Sequence, residues 1–327
     1  MYPELFELPF THLTIKSYGL MMVIGFLSAV FVIRRLSRSF TPDPGLITNA
    51  ALYTLIAGVV GARLFYVVHY FDNFRGDPAS MFAIWQGGLE LLGGVIFAIV
   101  VVFFYLRRHK LPIRRYLDAL AVGLMLALVF GRIGCFLNGC CFGKPTDQLW
   151  GVRFPYNSFA YASQVRAQPN RNRAKPQLEL PANFFNYSYG DAILKPHEQL
   201  SQEQKDMVKY GPYRCLHVHP TQLYSSAAAL LCSFLLYLFW RRSQKTGKLF
   251  AKPGSTFAMM FILYGIARFF LEFVRADNPF EYAWWAIYRG GTVSQNLGIY
   301  MVISGVLFMA IFQKMKNYKP ATKSKRH

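Results

Sequence analysis

Three arginines and a glutamate stand inside long apolar stretches of this 327-residue chain, with tyrosine, histidine and amide side chains at the ends of others. Ionisable residues in such surroundings are costly and by default mark a site. Arg63, Arg132 and Arg268 offer planar, permanently charged, bidentate donors, the geometry that suits a phosphate. Tyr18, Glu90, His219, Gln222, Tyr224 and Glu272 accompany them. Arg132 sits in FGRIGCFLNGCCFG, where Gly131, Gly134, Gly139 and Gly143 permit close backbone approach. The set points to a phosphate-bearing ligand. Structural readings stay open beside it. Arg268 and Glu272, spaced i,i+4, are able to neutralise each other, and Arg63 to snorkel to an interface. Gly87–Gly88 and Gly93–Gly94 suit tight helix packing, Tyr18 an interfacial aromatic belt, and Asp118 the start of a helix.

The elements that must hold these residues follow from composition. Hydrophobic residues make up 54% and charged ones 16%, with 30 Phe and 20 Tyr, which argues against a soluble domain and against disorder. A bilayer core needs about 20 apolar residues per helix, and seven stretches qualify: 18–33, 47–69, 88–106, 117–137, 221–240, 255–274 and 293–313. The reading is an all-α polytopic membrane protein, one membrane domain over 1–327. The net charge of +20 is explained by where the basic residues fall. Arg34, Arg35 and Arg38 follow the first span, Arg107, Arg108, Lys110, Arg114 and Arg115 the third, and Arg241, Arg242, Lys245, Lys248 and Lys252 the fifth. A basic tail follows the seventh. The positive-inside rule then puts the N-terminus outside and the C-terminus in the cytoplasm. This charge is a topology and anionic-lipid signal; no nucleic-acid partner is expected. The N-terminal MYPELFELPF carries Glu4 and Glu7 without a basic region, so no cleavable signal peptide is expected.

On this topology the segment 139–219 is an extracytoplasmic insertion between spans four and five, with a short strand near GVRFP. Counted from the cytoplasmic side at about 1.5 Å per residue, Arg63, Arg132, Arg268 and Glu272 all lie in the outer half of the membrane. Tyr18, Glu90, His219 and Gln222 approach the same level from the outer ends of their spans. A phospholipid of the outer leaflet presents its phosphate near that depth. A transporter would place its site at the midplane and often shows internal repeats, and neither is found. Cys135, Cys140, Cys141 and Cys215 map to the outer face, where oxidation is possible, and Cys232 lies inside span five. A bridge from Cys215 to Cys140 or Cys141 is an expectation of this placement. The cysteine spacings match no zinc pattern such as paired C-x-x-C.

Several motifs resemble the prolipoprotein diacylglyceryl transferase family, in order and at the right spans. They are SYGLMMVIGF, GARLFYV, WQGGLELLGG, GRIGCFLNGCCFG followed by WGVRFP, HPTQLY, YGIARFFLEFVR and TVSQNLGI. The resemblance implies seven spans around an outer-leaflet lipid site in a bacterial inner membrane. It implies transfer of the diacylglyceryl group of phosphatidylglycerol to the lipobox cysteine of a prolipoprotein signal peptide. A thioether forms and glycerol phosphate is released, without metal, nucleotide or other cofactor. By motif match Arg132 grips the headgroup, Arg268 is the second essential arginine, and Tyr18, Asn138, Gly143, Tyr264 and Glu272 surround the site. Leu92 stands where the family usually carries a histidine, a candidate base. Cys135 and Cys140 replace its usual Asn and Glu, and Ser225 replaces a Glu. Tyr18, Tyr66 and His219 remain to move a proton. The alternatives are a divergent relative acting on another lipid or acceptor, and a non-catalytic phospholipid-binding protein.

Overall fold

A computed structural model of the chain describes residues 4–7, 14–84, 87–188, 191–244, 250 and 252–315. Much of the basic tail, together with Lys245, Lys248, Trp85 and Gln86, lies outside the described residues. Seven helices are long and apolar enough to cross a membrane. A short hairpin of β1 (Glu4–Glu7) and β2 (Thr14–Lys16) leads into α1 (Ser17–Ser37), followed by α2 (Gly45–His69), α3 (Leu91–Arg108) and α4 (Ile113–Asn138). Between α4 and the next long helix come α5 (Phe159–Gln164), the hairpin β3 (Phe185–Ser188) and β4 (Asp191–Leu194), and α6 (Gln202–Lys209). The remaining long helices are α7 (Thr221–Ser243), α8 (Ser255–Leu271), extended by a 3-10 turn to Val274, and α9 (Val293–Lys314).

The third long helix begins at Leu91, later than the apolar run suggests. Gly87 and Gly88 take φ of 85° and 70°, the left-handed region, and Glu90 is extended, so the chain turns before it can wind. α4 is the centre of the bundle, packed on α1, α7 and α8; α9 packs on α8, and α2 pairs with α3. Gly61 and Gly93 set the α2–α3 distance: a Cβ on either would lie 2.7 or 2.5 Å from the other's carbonyl oxygen. The Ser226 and Ser233 hydroxyls of α7 donate to the Val129 and Val122 carbonyls of α4 at 3.1 and 3.0 Å. Such interhelical bonds join helices where the surrounding solvent is as apolar as their side chains. Large apolar residues such as Val23, Leu27, Phe31, Leu231 and Leu307 face outward, while Gln222, Asn296, Glu272 and Arg275 are buried. That distribution fits a lipid surround rather than water.

Asp118 is not a first-turn residue serving its own helix. Its carboxylate accepts from the Gly254 and Phe257 amides at 2.7 and 3.0 Å, capping the start of α8 from α4. The segment between α4 and α7 builds its own apolar core, with Phe154, Tyr161, Phe184, Leu200 and Val218 among its members. The strand expected near GVRFP is a single antiparallel bridge, Val152 to Val218.

Candidate active site

Arg132 projects from the last two turns of α4 toward α8, where Tyr264 and Arg268 lie one turn apart on the facing side. The three side chains line a narrow seam of about 10 Å³ with Leu128, Ser225 and Ala267. Among the described residues Arg132 has no carboxylate and no hydrogen-bond acceptor; its charge is felt by Tyr264, Cys141, Cys135 and Arg275. Arg268 directs Nη2 to the Ser294 hydroxyl at 2.5 Å and to the Glu272 carboxylate at 3.4 Å. Among the described residues it finds no hydrogen-bond partner for its buried Nη1. A buried donor left open calls for an explanation, and an anionic ligand supplies one.

Glu272, at the end of α8, is fully buried and shared. Its Oε2 lies 3.4 Å from Arg268 and 3.7 Å from Arg275, and its Oε1 accepts from Asn278. Arg275 also donates through Nε and Nη2 to both oxygens of Asp277, at 2.9 and 2.6 Å. Burial draws its pKa down, but the Asp277 carboxylate outweighs this and holds it above the ordinary arginine value. Arg171, from the segment between α4 and α7, donates to the Arg275 carbonyl at 3.0 Å and lies over Phe280. Burial pulls its pKa below the usual value, opposed by Glu272 and Asp277. Arg171, Arg268 and Arg275 thus gather around two carboxylates with Arg132 in electrostatic reach of Arg268 and Arg275, so four guanidinium groups face two carboxylates and two positive charges are left uncompensated. The i,i+4 pairing of Arg268 with Glu272 is real, but one carboxylate between two arginines does not neutralise the cluster.

Beyond Asn138 the chain reverses at Gly139, whose φ is 73°, and at Cys141, whose φ is 58°. Two side chains from the start of α7 pin this turn. Gln222 donates to the Cys140 carbonyl and Thr221 to the Cys141 carbonyl, each at 2.7 Å. The amide of Gly143 donates to the His219 carbonyl at 3.1 Å, and a Cβ there would lie 2.5 Å from that oxygen. Gly143 and His219 therefore act through backbone packing, and the His219 ring meets Tyr224 at 3.3 Å. The turn folds Cys140 and Cys141 back on Cys135, and the three sulfur atoms lie within 4.8 Å of one another. Tyr18, at the start of α1, packs on Gly134 within electrostatic reach of these thiols, and the Asn138 amide reaches Cys140.

Two expectations from the sequence are corrected here. Arg63 does not join the cluster: it donates to the carbonyls of Ser80, Met81, Gly87 and Gly88 at 2.6, 2.8, 2.6 and 3.0 Å, with Tyr66 and Phe74 against it. Those four acceptors leave it bracing the loop before α3. The bridge from Cys215 does not form either. Cys215 is buried, its thiol donates to Gln164 at 3.4 Å, and burial pushes its pKa up to about 11. Leu92 faces outward, and Glu90 pairs with His69 at 3.1 Å. A cavity of about 740 Å³ in the segment between α4 and α7, lined by Tyr156, Lys205, Lys209 and Arg214 among others, has none of the cluster arginines in its wall.

The sequence model of the family described as prolipoprotein diacylglyceryl transferase matches residues 3–311. The chain belongs to that family. It is 28% identical over 315 residues to the phosphatidylglycerol–prolipoprotein diacylglyceryl transferase of Clostridium tetani, covering 95% of this chain and 98% of that one. Identity to the enzyme of the same name from Xanthomonas oryzae is 28% over 308 residues, with coverage of 93% and 89%. A relative from Clostridium perfringens, named as a second such transferase, is 26% identical over 313 residues, with 94% of each chain covered. Within this diacylglyceryl transferase fold, Arg171, Arg275, Asp277, Asn278 and Ser294 are cluster members that sequence reasoning passed over. Arg275 does close the YGIARFFLEFVR motif, and that was the available signal.

Proposed function

We propose that this chain transfers the diacylglyceryl group of phosphatidylglycerol to the lipobox cysteine thiol of a prolipoprotein signal peptide. The observation that carries the reading is the pair of uncompensated guanidinium charges beside the open Nη1 of Arg268. The phosphate of phosphatidylglycerol is a diester with one negative charge. When its C–O bond to the diacylglyceryl carbon breaks, the electron pair stays on the phosphate oxygen and the released monoester approaches two negative charges. Fixed cations hold that leaving group more strongly than the substrate, the condition for lowering a barrier. The sulfur of the acceptor forms the new bond to the same carbon, giving the thioether and glycerol phosphate.

In this scheme Arg132 and Arg268 bind the phosphate, with Tyr264 between them. Glu272 orients Arg268 and Arg275, and Tyr18 and Asn138 border the place of the acceptor thiol. Gly143, His219 and Gln222 shape the turn that carries the cysteines, and Arg63 supports the neighbouring loop. The basic residues after spans one, three, five and seven favour an N-terminus outside, a C-terminus in the cytoplasm and contact with anionic lipids. The segment 139–219 then lies on the outer side of a bacterial inner membrane, where the lipobox emerges. The test mixes purified protein with labelled phosphatidylglycerol and a lipobox peptide. Product from the wild type is expected to fall about 100-fold or more in Arg132→Ala, the scale seen on removing a transition-state donor. Equal product from the folded variant would refute the assignment.

A further inference from the structure

We propose that Cys135, Cys140 and Cys141 form a three-thiolate site for a zinc ion whose open fourth position takes the acceptor thiol. The inference rests on the transfer reaction proposed above. It departs from the expectation that the chemistry needs no metal. C-x4-C-C resembles no zinc spacing along the sequence, yet the left-handed turn at Gly139 and Cys141 brings all three sulfur atoms within 4.8 Å of one another. Zinc binds thiolates at about 2.3 Å, so sulfur atoms around a tetrahedral ion lie about 3.8 Å apart, and a contraction of roughly 1 Å seats the ion. None of the three is in a disulfide. Their backbone is held before any ion arrives, by Gln222 on the Cys140 carbonyl and Thr221 on the Cys141 carbonyl.

The electrostatics suit such a centre. Zinc with three thiolates carries one negative charge, and with a fourth it carries two. The guanidinium groups of Arg132 and Arg275 act on Cys141 from the same cluster. A soft thiolate set selects zinc over hard cations, and three protein ligands with one open position are the pattern of catalytic rather than structural zinc.

The site answers a gap in the chemistry. The acceptor must ionise to attack, yet Leu92 faces outward and moves no proton, Arg63 packs on Tyr66 in the loop brace, the His219 ring is engaged by Tyr224, and Tyr18 is a phenol, a donor rather than a base at neutral pH. Coordination deprotonates a thiol outright. The acceptor's proton passes to water as its sulfur enters the fourth position. That sulfur then attacks the diacylglyceryl carbon, the S–C bond forms, and the C–O bond breaks with its electron pair on the phosphate oxygen. The neutral thioether is a poor ligand and departs, and water or the next acceptor replaces it. A thiol of ordinary pKa near 8.5 is only about 3% ionised at pH 7, so full ionisation raises the nucleophile population by at most roughly 30-fold. Metal-bound thiolate is less nucleophilic than free thiolate, so the gain lies below that ceiling.

The test uses full-length protein in detergent, reduced and stripped with a chelator, then titrated with Zn(II) alone and separately with Co(II). One zinc per chain is expected, with a sulfur-to-cobalt charge-transfer band that gains one further thiolate's share when a lipobox peptide is added. Cys135→Ser, Cys140→Ser and Cys141→Ser should each weaken binding, while Cys232→Ser, a thiol outside the cluster, should not. The cobalt spectrum is read on the wild type, so it does not depend on how the variants fold. Chelation should slow diacylglyceryl transfer severalfold, up to the 30-fold ceiling, and zinc should restore it. Failure to bind zinc, or full-rate transfer by the stripped protein, would overturn the proposal while leaving the transferase reading intact. Zinc and peptide coordination without any product from phosphatidylglycerol would uphold the site and sink the transferase reading.

Discussion

Replacing Arg268 by lysine separates the two tasks assigned to this side chain. In the structure Nη2 serves the protein, meeting Ser294 at 2.5 Å and Glu272 at 3.4 Å, while the buried Nη1 has no hydrogen-bond partner among the described residues. A lysine ammonium is a single point charge on a stem of similar reach. It satisfies Glu272, and it has no second, rigidly placed nitrogen to turn toward a phosphate. The fold should therefore persist, because the carboxylate keeps a cation. What is lost is one charge-assisted hydrogen bond to the leaving group, about 1.5–3 kcal/mol. If that bond strengthens as the phosphate becomes a monoester, the loss appears as a fall in turnover of about 10- to 150-fold at saturating lipid. Alanine at the same position behaves differently. It removes one of the two cations flanking the buried Glu272 carboxylate, and breaking a buried pair from one side costs about 3–5 kcal/mol of stability. The assay is turnover of labelled phosphatidylglycerol, with thermal unfolding measured on the same preparations. Near-wild-type turnover by Arg268→Lys would refute the division of labour. So would an alanine variant as stable as the lysine one.

Three further outcomes follow from the geometry. Asp118→Asn removes one of two charge-assisted bonds at the start of α8, so it should cost about 2–4 kcal/mol; a thermal shift checks it, with turnover unchanged in the folded protein at low temperature. Arg63→Met leaves four backbone carbonyls without their donor and should destabilise the protein by about 2–4 kcal/mol; limited proteolysis should cut first within residues 78–88. In metal-free protein at pH 8, maleimide should label Cys140 and Cys141 well ahead of Cys215, as mapped by peptide mass. Cys215 is buried with a pKa near 11, and a raised pKa keeps the thiol protonated and unreactive until the pH approaches that value.

The seven helices were legible because apolar length is a one-dimensional property, and the structure shifts their ends by a few residues where glycines or caps intervene. The arginines were legible as a class but not individually. Arg63 and Arg132 have the same type and a similar apparent depth, yet one meets four carbonyls of a following loop and the other meets none. Only the placement of Ser80, Met81, Gly87 and Gly88 decides between them. Arg275 reads in sequence as a basic residue just beyond a span. Its role depends on Asp277 beside it and on an antiparallel bridge to Gly143, which is remote in the chain. Asp118 likewise looks like a helix-start residue until α8 is seen to begin over it. The cysteine cluster was hidden by spacing, because a left-handed turn brings together what C-x4-C-C keeps apart on an extended chain. The expected bridge from Cys215 failed because the segment before α7 tucks that thiol under Gln164, inside a core of its own.

The cap on α8 reaches further than the first turn it satisfies. Asp118 and Arg132 are separated along α4 by the same number of residues as Gly254 and Arg268 along α8, about 21 Å of helical rise in each. The two helices run side by side in the same direction, fastened by a carboxylate at one end and meeting through their arginines at the other. They behave as two rules clamped at a common zero. Sliding α8 by one turn would strip its cap and carry Arg268 out of reach of Arg132 in the same movement. An insertion or deletion in either helix between those marks would misalign the arginine cluster without touching any residue in it. The register of the arginine cluster is thus set at the opposite end of the two helices.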